Sequence, residues 1–560
     1  MVQYLRNELH FPLVQATNTL SNFAGTASFT PIVGGLIADS FAGRFWTVAV
    51  GTLIYQLGMM GVTTTAILPN LRPKPCPPQS PLCQKASDWQ LAIFYSFFLL
   101  TVVGAGGIRP CVVAFGADQF ELDRSQQRPR GSGLKWSYFN IYFFSKGVAK
   151  LLAITVVVYI QDNVGWGLGF GIPTIAMFFA GMAFFAGSPL YIKLKPGGSP
   201  LTRLAQVVVA AVRKRKLVLP EESSDLYQNK EMDADLSTAG RLLHTDQFRC
   251  LDRAAIFTDS DITAAGSPRL WRLSTVHRIE ELKSILRILP IWSVGILIST
   301  ASSHNSSFTI IQAKSMDRRL AGNFQIPAAT LSIFSILSML LTLSLYDRLL
   351  TPLARRFTRR PQGISNLQRI GIGLAISIIT NICAALVETR RRATATMHGL
   401  TDSPSATVPI SVFWLVPQYA VSGVAEAFYS VGQMEFLYHQ SPESTRSTAA
   451  ALFWLASSLG KYGGSLLVNL VSHFSKRTKE GDWLQNNINK GRMNYYYWLV
   501  VGLQVFNFVY CLVCAKFYKL KPLEIVGDES TGKVVDGDNG GGGCEVELAA
   551  VAMEKGQILK

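Results

Sequence analysis

The chain has 560 residues, of which 49% are hydrophobic and 16% are charged, whereas soluble domains carry about 25% charged residues. The apolar residues form blocks of about 20 with almost no charge, the length that crosses a bilayer core about 30 Å thick. The composition therefore excludes a soluble multidomain enzyme and predicts an all-α polytopic membrane protein. The formal charge of +17 lies mainly in short loops, where Lys and Arg orient membrane helices, so nucleic-acid binding is not expected.

Eleven uncharged apolar spans follow one another along the chain, five before a long polar stretch and six after it. We therefore expect two helical bundles, 1–193 and 283–518, joined by a cytosolic linker over 194–282. The tail, 519–560, is rich in Gly and acidic residues and is expected to be disordered. The predicted spans are 20–38, 45–68, 89–115, 136–160, 165–192, 286–312, 324–346, 367–388, 409–433, 447–473 and 494–517.

The charges of the loops predict the orientation of these spans. When consecutive spans alternate in direction, Arg44, the run RKRK at 213–216 and the Arg residues between 348 and 360 fall on one side of the membrane. By the positive-inside rule, that side is the cytosol. Arg390 to Arg392 and the run KRTK at 476–479 fall on the outer side and are exceptions to the rule.

The linker opens with the sequence LTRLAQVVVAAVRKRK, which has a helical pattern. Leu204, Val208 and the pair Ala211 and Val212 recur at helical spacing and predict a short amphipathic helix. Such a helix either lies on the membrane surface or packs under the bundle, and the pattern favours neither position.

Motifs of metal, nucleophile and phosphate chemistry are mostly absent from the sequence. Cys511 and Cys514 form a C-x-x-C, but they lie in the last apolar span without partner ligands, which favours helix packing. GDESTGKV at 527–534 has a Walker-like spacing but lacks the Ser or Thr that would hold Mg²⁺. Cys76 and Cys83 share a loop on the outer side, where a disulfide could form. We expect no cofactor, no metal site and no enzymatic activity.

Charged residues inside the spans are the candidate functional residues, because charge in a membrane is costly. Arg109 follows the run GAGG and precedes Pro110 in the third span, so it is expected to bind an anion or to pair with a carboxylate. A structural Arg that locks two helices is the alternative. Glu426 is the acidic residue deepest in any span and is expected to bind substrate and to exchange the coupling proton, unless it is a static partner of a Lys or Arg.

Three lysines and one polar stretch extend this set of candidates. Lys146 and Lys150 lie four residues apart on one face of the fourth span, so they either share an anion or extend to a membrane interface, and the second position is favoured. Lys461 lies in the tenth span. The stretch ISTASSHNSSFT predicts a wall that faces water, although a neutral, hydrogen-bonded His is the alternative there. The candidate substrate-binding residues are Arg109, Glu426, His304, Asn305 and Lys146.

The first cytosolic loop carries a second candidate site. GGLIADSFAGRFW fits G-x-x-x-D-x-x-x-G-R, with Asp39 and Arg44 as its charged members. Asp39 can accept hydrogen bonds from a neighbouring helix N-terminus, and Arg44 can bridge to another carboxylate. We therefore predict that Asp39 and Arg44 gate the protein. The spacing resembles the loop signature of the major facilitator superfamily.

Several long motifs occur in an order that resembles one branch of that superfamily. They are FYSFFLLTVVGAGGIRPCVVAFGADQF (94–120), HTDQFRCLDRAA (244–255), WRLSTVHRIEELKSILRILPIW (271–292), NFQIPAA (323–329), YDR (346–348) and SVFWLVPQYAVSGVAEAF (411–428). This set resembles the plant nitrate/peptide transporters of the proton-coupled oligopeptide transporter family. VVYIQDNVGWGLGFGIPTIAMF (157–178) further resembles the subfamily that carries nitrite, nitrate and gibberellin.

The resemblance implies a two-bundle fold, influx driven by the proton gradient and a central site reached from either side in turn. Arg109 then matches the cation that the family has in this helix, Glu426 matches its acidic residue in the tenth helix of the complete fold, and Asp39 and Arg44 match the gating loop. Arg109 keeps its charge permanently and is therefore a poor proton carrier.

The chain also departs from the family pattern. Family members begin with a helix carrying E-x-x-E-R, and Met1 aligns just after it, so the first helix is expected to be missing and Arg109 to lack its usual carboxylate. The His of the nitrate-selective branch corresponds to Ser302, with His304 two residues on. Lys146, Lys150 and Lys461 stand where neutral residues are expected.

Two functions of different classes follow from this pattern. The first is a proton-coupled importer of a small anion or weak acid, such as nitrate, nitrite or a gibberellin-like carboxylate, with a peptide transporter as a variant. The second is a truncated, non-transporting or regulatory membrane protein. The expected partners are a small solute, protons and the lipid bilayer. The expected location is the plasma membrane, with a plastid envelope or vacuole as alternatives.

Overall fold

The computed structural model describes most of the helical spans and large parts of the linker. The described residues are predominantly α-helical, which confirms the all-α fold class predicted from the sequence. They are 4–5, 8–11, 13–73, 86–126, 137–194, 196–220, 225–229, 232–233, 241–263, 267–303, 305–321, 324–358, 363–403, 406–477, 481–485, 487–524 and 535–536. The loop with Cys76 and Cys83 and the run GDESTGKV lie outside these residues.

The first bundle is built from the helices that precede the linker. One π-helical turn, Ala38–Ala42, joins the first two helices, and a second, Ala153–Val157, joins the fourth and fifth. The helices are Leu13–Ile37 (α1), Gly43–Ile67 (α2), Asp88–Gln126 (α3), Tyr138–Leu152 (α4), Val158–Asn163 (α5) and Trp166–Ala186 (α6).

Close packing inside the first bundle depends on glycines. A Cβ atom at Gly34 of α1 would collide with the backbone of Gly106 in α3, and one at Gly58 of α2 would collide with Thr101 in α3. A Cβ at Gly104 would meet the backbone of Tyr55 in the same way. These glycines let α1, α2 and α3 approach at backbone distance, as small residues do between membrane helices.

The linker contains one helix, Pro200–Arg213 (α7), and the 3₁₀ helices Arg249–Ala255 and Asp259–Asp261. Val207 and Ala210 of α7 are fully buried against the second 3₁₀-flanking segment and the first turns of the next long helix. Val208 and Val212, which the sequence pattern assigned to the apolar face, are 43% and 58% exposed. The helix therefore packs under the bundle with one face and leaves a second apolar row exposed.

The second bundle follows the linker. Its helices are interrupted by a π-helical turn, Tyr346–Leu350, and preceded at two places by 3₁₀ turns, Ala328–Leu331 and Val412–Leu415. They are Val276–Ser302 (α8), Asn305–Ser315 (α9), Ser332–Leu345 (α10), Thr351–Thr358 (α11), Asn366–Met397 (α12), Val416–Gln440 (α13), Arg446–Ser475 (α14) and Met493–Phe517 (α15).

Short strands connect the ends of these helices. Met316–Asp317 pairs in parallel with Val408–Ser411, and Arg319–Ala321 pairs antiparallel with Phe324–Gln325. Pro522–Glu524 lies between two antiparallel partners, one of which belongs to the linker; the partners are Arg241–Leu242 and Val535–Asp536.

Helices occupy each of the predicted apolar spans. In the described part of the chain, eight helical segments are long and apolar enough to cross a membrane, judged by length and composition alone. The helices α13 and α14 are not among them, because polar residues such as Gln418, Glu426, Gln433 and Lys461 lower their hydropathy. Most of the predicted spans thus lie in helices of sufficient length.

Several predicted boundaries are wrong for identifiable reasons. The span predicted from 286 begins at Val276, because the first turns of α8 are charged yet buried. The spans predicted from 324 and 409 begin at Ser332 and Val416, because a strand precedes each helix. The predicted disordered tail is wrong for its first residues, since Lys521 donates its backbone N–H to Gln440 at 3.1 Å.

The buried charges at the start of α8 form a compact cluster with the linker. The Nζ of Lys283 lies 2.7 Å from Asp252 and 2.8 Å from Glu280, and Arg287 lies 3.2 Å from the same Glu280. His244, Asp252 and Glu280 place three possible ligand atoms within 4.8 Å of one another. Because Lys283 already neutralises these carboxylates, the cluster is best described as an ion-pair network.

The arginines that broke the positive-inside pattern have structural partners. Arg391 is fully buried in α12, where it pairs with Glu388 at 2.8 Å and donates to Asn489 at 2.7 Å. Arg390 lies over the ring of Trp414 at 4.0 Å. These two residues bind side chains at the outer end of the second bundle and are not loop charges.

Candidate functional site

Two cations of the first bundle meet one aromatic ring of the second. The guanidinium of Arg109 in α3 lies 5.4 Å from the ring centroid of Trp454 in α14, and the Nζ of Lys146 in α4 lies 4.7 Å from the same ring. The Nζ of Lys146 also lies 5.2 Å from the ring of Phe143. These are cation–π distances. The expectation that Lys146 extends to a membrane interface is therefore wrong.

Glu426 supplies a carboxylate to this group. The charged groups that act electrostatically on Lys146 are Glu426, Lys150 and Arg109. Among the residues that the structure describes, Arg109, Lys146 and Glu426 form no ion pair, and all three are exposed. We call Arg109, Lys146, Glu426 and Trp454 the central cation site, because its positive charges are accessible and not neutralised by a direct partner.

Two tyrosines complete the surroundings of Arg109. Tyr55 in α2 and Tyr142 in α4 are both within electrostatic range of its guanidinium. Tyr142 belongs to the segment FNIYF, which differs from the aromatic segment expected from the family resemblance. Phenolic hydroxyl groups can donate a hydrogen bond to an anion held by Arg109.

The two remaining candidates of the sequence analysis are not brought into this group. His304 lies outside the described residues. Asn305 begins α9, and only its backbone is described. The helix α9 lies beside α13, since Gln418 donates to the hydroxyl of Thr309 at 3.2 Å. The roles of His304 and Asn305 stay predictions.

An apolar layer closes the space on the cytosolic side of the central cation site. Its residues come from both bundles and pack into one buried cluster, so no polar path continues from the site through this layer. They are Val113, Ala114, Ala117, Phe139, Phe143, Met339, Leu343, Ala427, Val431, Met434, Tyr438 and Ala450. The exposed surfaces of Arg109, Lys146 and Glu426 therefore face the outer side.

Asp39 and Arg44 lie beyond this layer and contact the start of α14. Asp39 accepts hydrogen bonds from the backbone N–H and the hydroxyl of Thr448, both at 2.8 Å. Arg44 donates to the hydroxyl of Ser447 at 3.0 Å and to the carbonyl of Glu443 at 2.7 Å. A carboxylate at a helix N-terminus is favourable because it meets unpaired backbone N–H groups and the positive end of the helix dipole.

Asp118 is the central carboxylate of this arrangement. It pairs with Arg44 through one oxygen, and its other oxygen accepts from Arg446 at 3.2 Å and from the hydroxyl of Tyr438 at 2.7 Å. Asp118 is 2% exposed. We call Asp39, Arg44, Asp118, Tyr438 and Arg446 the cytosolic network; it joins α3 and the loop before α2 to α13 and α14.

A second contact joins the bundles at the same end. The side chain of Asn140 in α4 donates to Asp347 at 2.6 Å and accepts from Arg369 at 2.6 Å. Asp347 belongs to the YDR motif, and Arg369 lies near the start of α12. Asn140 is fully buried, so both of its amide groups are used without water.

Sequence reasoning missed several of these residues. Asp118 and Arg446 lie just outside the predicted spans 89–115 and 447–473, where a charge looks like an ordinary loop residue. Trp454 gave no signal of its own, because an aromatic residue in an apolar span is usually a packing residue. Its spacing of four residues from Ala450, on the same face of α14, becomes informative once Ala450 is known to lie in the interface.

Comparison with known proteins identifies the family. Residues 45–484 match the family model PTR2, described as the POT family. The chain belongs to the POT family. The Arabidopsis thaliana relative "Protein NRT1/ PTR FAMILY 3.1" is 53% identical to this POT family member over 527 residues, which are 94% of this chain and 88% of the relative. "Protein NRT1/ PTR FAMILY 8.3" of the same plant is 40% identical over 521 residues, 93% of this chain and 88% of the relative.

Solved structures of POT family proteins share the fold. "In meso crystal structure of the POT family transporter PepTSo" superposes with a TM-score of 0.56 at 20% identity, covering 91% of this chain and 92% of that one. A second structure, an auto-inhibited POT family peptide transporter, gives a TM-score of 0.52 at 19% identity, covering 93% and 90%. Both confirm the two-bundle fold of the major facilitator superfamily.

Family membership confirms several predictions together. The POT family consists of transporters, so the predicted multi-pass membrane location is confirmed, and the plasma membrane is the typical location of NRT1/PTR members. The quoted motifs now have structural positions. Glu280, Lys283 and Arg287 of one motif and His244 and Asp252 of another build the linker ion-pair network.

Proposed function

We propose that this POT family member imports a small anion or weak acid together with protons. The observation that carries the proposal is the central cation site, where Arg109 and Lys146 face one tryptophan ring and only Glu426 opposes their charge. An accessible cation that lacks a direct carboxylate partner inside a membrane is best stabilised by an anionic ligand. A zwitterionic peptide would bring a positive charge into the same place, which is less favourable.

Glu426 provides the link between proton and anion. In its ionised form, Glu426 attracts Lys146 and so competes with an anionic substrate for that cation. In its protonated form, Glu426 leaves Arg109 and Lys146 to the substrate. Protonation and anion binding therefore favour each other, which is the reciprocal coupling that a symporter needs.

The cytosolic network is the proposed gate. In the described structure it joins the two bundles at the cytosolic end, while the central cation site is accessible from the outer side. Opening toward the cytosol requires Asp118 to part from Arg446 and Tyr438, and Asp39 to part from Thr448. Substrate binding would drive that step only if the inward-open state binds the loaded site better.

The test is uptake of labelled nitrate, nitrite and a gibberellin into cells expressing the full chain, at external pH 5.5 and 7.5, with surface expression measured in parallel. Uptake of at least one of these anions should rise at the acidic pH. Arg109→Ala should lower that uptake about a hundredfold or more, since it removes a charge from a poorly hydrated site. Glu426→Gln should leave exchange of substrate across the membrane but abolish its pH dependence.

The matched control is Lys314→Ala, which removes a positive charge from an exposed side chain in α9. This variant should retain uptake within about twofold of the wild type, as expected for an exposed charge far from a site. Arg109→Ala protein that reaches the surface and still takes up anions would refute the assignment of the site. Wild-type protein at the surface that takes up none of them would favour the non-transporting alternative.

A further inference from the structure

Two more lysines lie on the outer side of the central cation site. Lys150 follows Lys146 by one turn of α4, and Lys461 follows Trp454 by seven residues, close to two full turns of α14. Both are exposed. Because α4 and α14 both run from the cytosolic end outward, both lysines lie nearer the outer surface than Arg109 and Lys146.

Both lysines point into the interface between the bundles. Residues four apart share a helix face, so Lys150 lies on the face of α4 that carries Lys146. Phe143 on this same face contacts the ring of Phe453 in α14, with centroids 6.2 Å apart. Lys461 shares its face of α14 with Trp454 and with Ala450, which is buried between the bundles. The neighbouring Tyr462 lies 6.5 Å from Phe29 of α1.

The charge balance of this space exceeds what one negative charge can neutralise. Arg109, Lys146, Lys150 and Lys461 contribute four positive charges, and Glu426 is the carboxylate that acts on Lys146 among the described residues. A monovalent anion at Trp454 would leave Lys150 and Lys461 uncompensated. Like charges this close repel one another, so a ligand that neutralises the outer pair as well gains additional binding energy.

We propose that the site is built for a small organic dianion, a molecule with two carboxylates joined by a short carbon chain. The first carboxylate lies between Arg109 and Lys146 at Trp454, and the second lies at Lys150 and Lys461. The rise from Lys146 to Lys150 is about 6 Å, which suits a chain of a few carbon atoms. The long, flexible stems of the lysines let both ammonium groups reach the outer carboxylate.

This inference rests on the proposed function, because it names the substrate class of the same site. It differs in its outer half: Arg109, Lys146 and Glu426 serve any anion, whereas Lys150 and Lys461 distinguish two negative charges from one. The site residues make no use of substrate size beyond the spacing of the two carboxylates.

Binding to the purified full-length chain tests the inference without requiring transport. Succinate and its monomethyl ester have the same carbon chain but carry two charges and one charge at pH 7, above the usual pKa range of a carboxyl group. Ligand binding raises the unfolding temperature of the protein in proportion to occupancy. Succinate should stabilise the wild type at a concentration about tenfold lower than the monoester, the ratio expected for one additional charge pair at the site.

Lys150→Gln and Lys461→Gln should each reduce this ratio toward one, and Lys150→Arg should restore it. The control Lys314→Gln removes the same charge from α9 and should keep the ratio of the wild type. Equal stabilisation of the wild type by succinate and the monoester would overturn the inference. An unchanged ratio in both Lys150→Gln and Lys461→Gln would overturn it as well.

The two proposals fail in different ways. If acid-stimulated nitrate uptake is present but succinate and the monoester bind equally, the anion importer stands and the dianion site does not. If succinate binds preferentially through Lys150 and Lys461 but no anion is taken up by protein at the surface, the dianion site stands and the transport proposal fails.

Discussion

The cytosolic network and the central cation site treat buried charge in opposite ways. In the network, Asp39 and Asp118 accept hydrogen bonds and ion pairs from Arg44, Arg446, Tyr438 and Thr448, so both carboxylates are satisfied by the protein itself. In the central cation site, Arg109 and Lys146 have a ring and a carboxylate nearby but no ion pair among the described residues. The comparison separates charges that stabilise one conformation from charges that are available to a ligand.

The largest expected effect comes from the network. Asp118→Ala leaves Arg44 and Arg446 buried without their shared carboxylate, and breaking a buried pair in this way costs about 3–5 kcal/mol. We expect a lower unfolding temperature of the purified protein. We also expect greater labelling, from the cytosolic side, of a cysteine introduced at Ala114 in the apolar layer.

The exposed pair Lys490 and Asp402 provides the control for that experiment. Their side chains are 60% and 84% exposed at a separation of 3.3 Å, and such pairs contribute about 0–1 kcal/mol. Asp402→Ala should therefore leave both the unfolding temperature and the cytosolic labelling unchanged. If Asp118→Ala behaves like Asp402→Ala, the network does not hold the two bundles together.

A smaller effect is expected at the central cation site. Trp454→Leu removes the ring that faces both Arg109 and Lys146, and each desolvated cation–π contact contributes about 0.5–2 kcal/mol. We expect the KM for the transported anion to rise about tenfold. The folded yield should stay close to that of the wild type, because Trp454 is not part of the cytosolic network.

Trp454→Phe separates a role of the ring from a role of the volume. Phe retains an aromatic face for the two cations, so its KM should lie between those of the wild type and Trp454→Leu. Equal KM values for Trp454→Leu and the wild type would show that the ring is only a packing residue. That result would weaken the distinction between the two regions.

The smallest effect is expected at a pair outside both regions, in the linker. Burial would raise the pKa of Asp261, but hydrogen bonds from Lys214 and Thr258 outweigh this and hold its pKa below the usual value. A lowered pKa in the folded state means that the ionised form is stabilised by folding. Asp261→Asn should therefore lower stability by less than about 1 kcal/mol at neutral pH.

The pH dependence of this variant has a defined sign. The stability difference between the wild type and Asp261→Asn should be present at pH 7 and should shrink as the pH falls below about 4, where Asp261 becomes protonated in the unfolded chain and then in the folded one. Thermal unfolding at pH 7, 5 and 3.5 measures this difference. A difference that grows on acidification would contradict the lowered pKa.

The sequence was sufficient for the fold class because long apolar spans have few alternative structures. All the predicted spans lie in helices, since a bilayer leaves the backbone no other way to satisfy its hydrogen bonds. Boundaries failed where this constraint does not act. The start of α8 is charged and buried in a protein environment, and hydropathy cannot distinguish that from a loop.

The candidate site was only partly predictable for a related reason. Arg109, Glu426, Asp39 and Arg44 could be found because each is a charge in or beside an apolar span. Trp454 could not be found, since its role depends on which face of α14 meets the first bundle. Lys146 was expected at a membrane interface, and the contact that places it over Trp454 is between residues more than 300 positions apart in the sequence. Such contacts require tertiary structure.

The glycine contacts of the first bundle limit how the protein can move. Because α1, α2 and α3 meet at backbone distance, any sliding of one against another would require these backbones to separate first. The three helices therefore travel as a single rigid block, and a hinge between them is excluded by sterics. Flexibility must be located where the contacts are made by side chains, which in this chain is the surface between α4 and α10 and between α1 and α14.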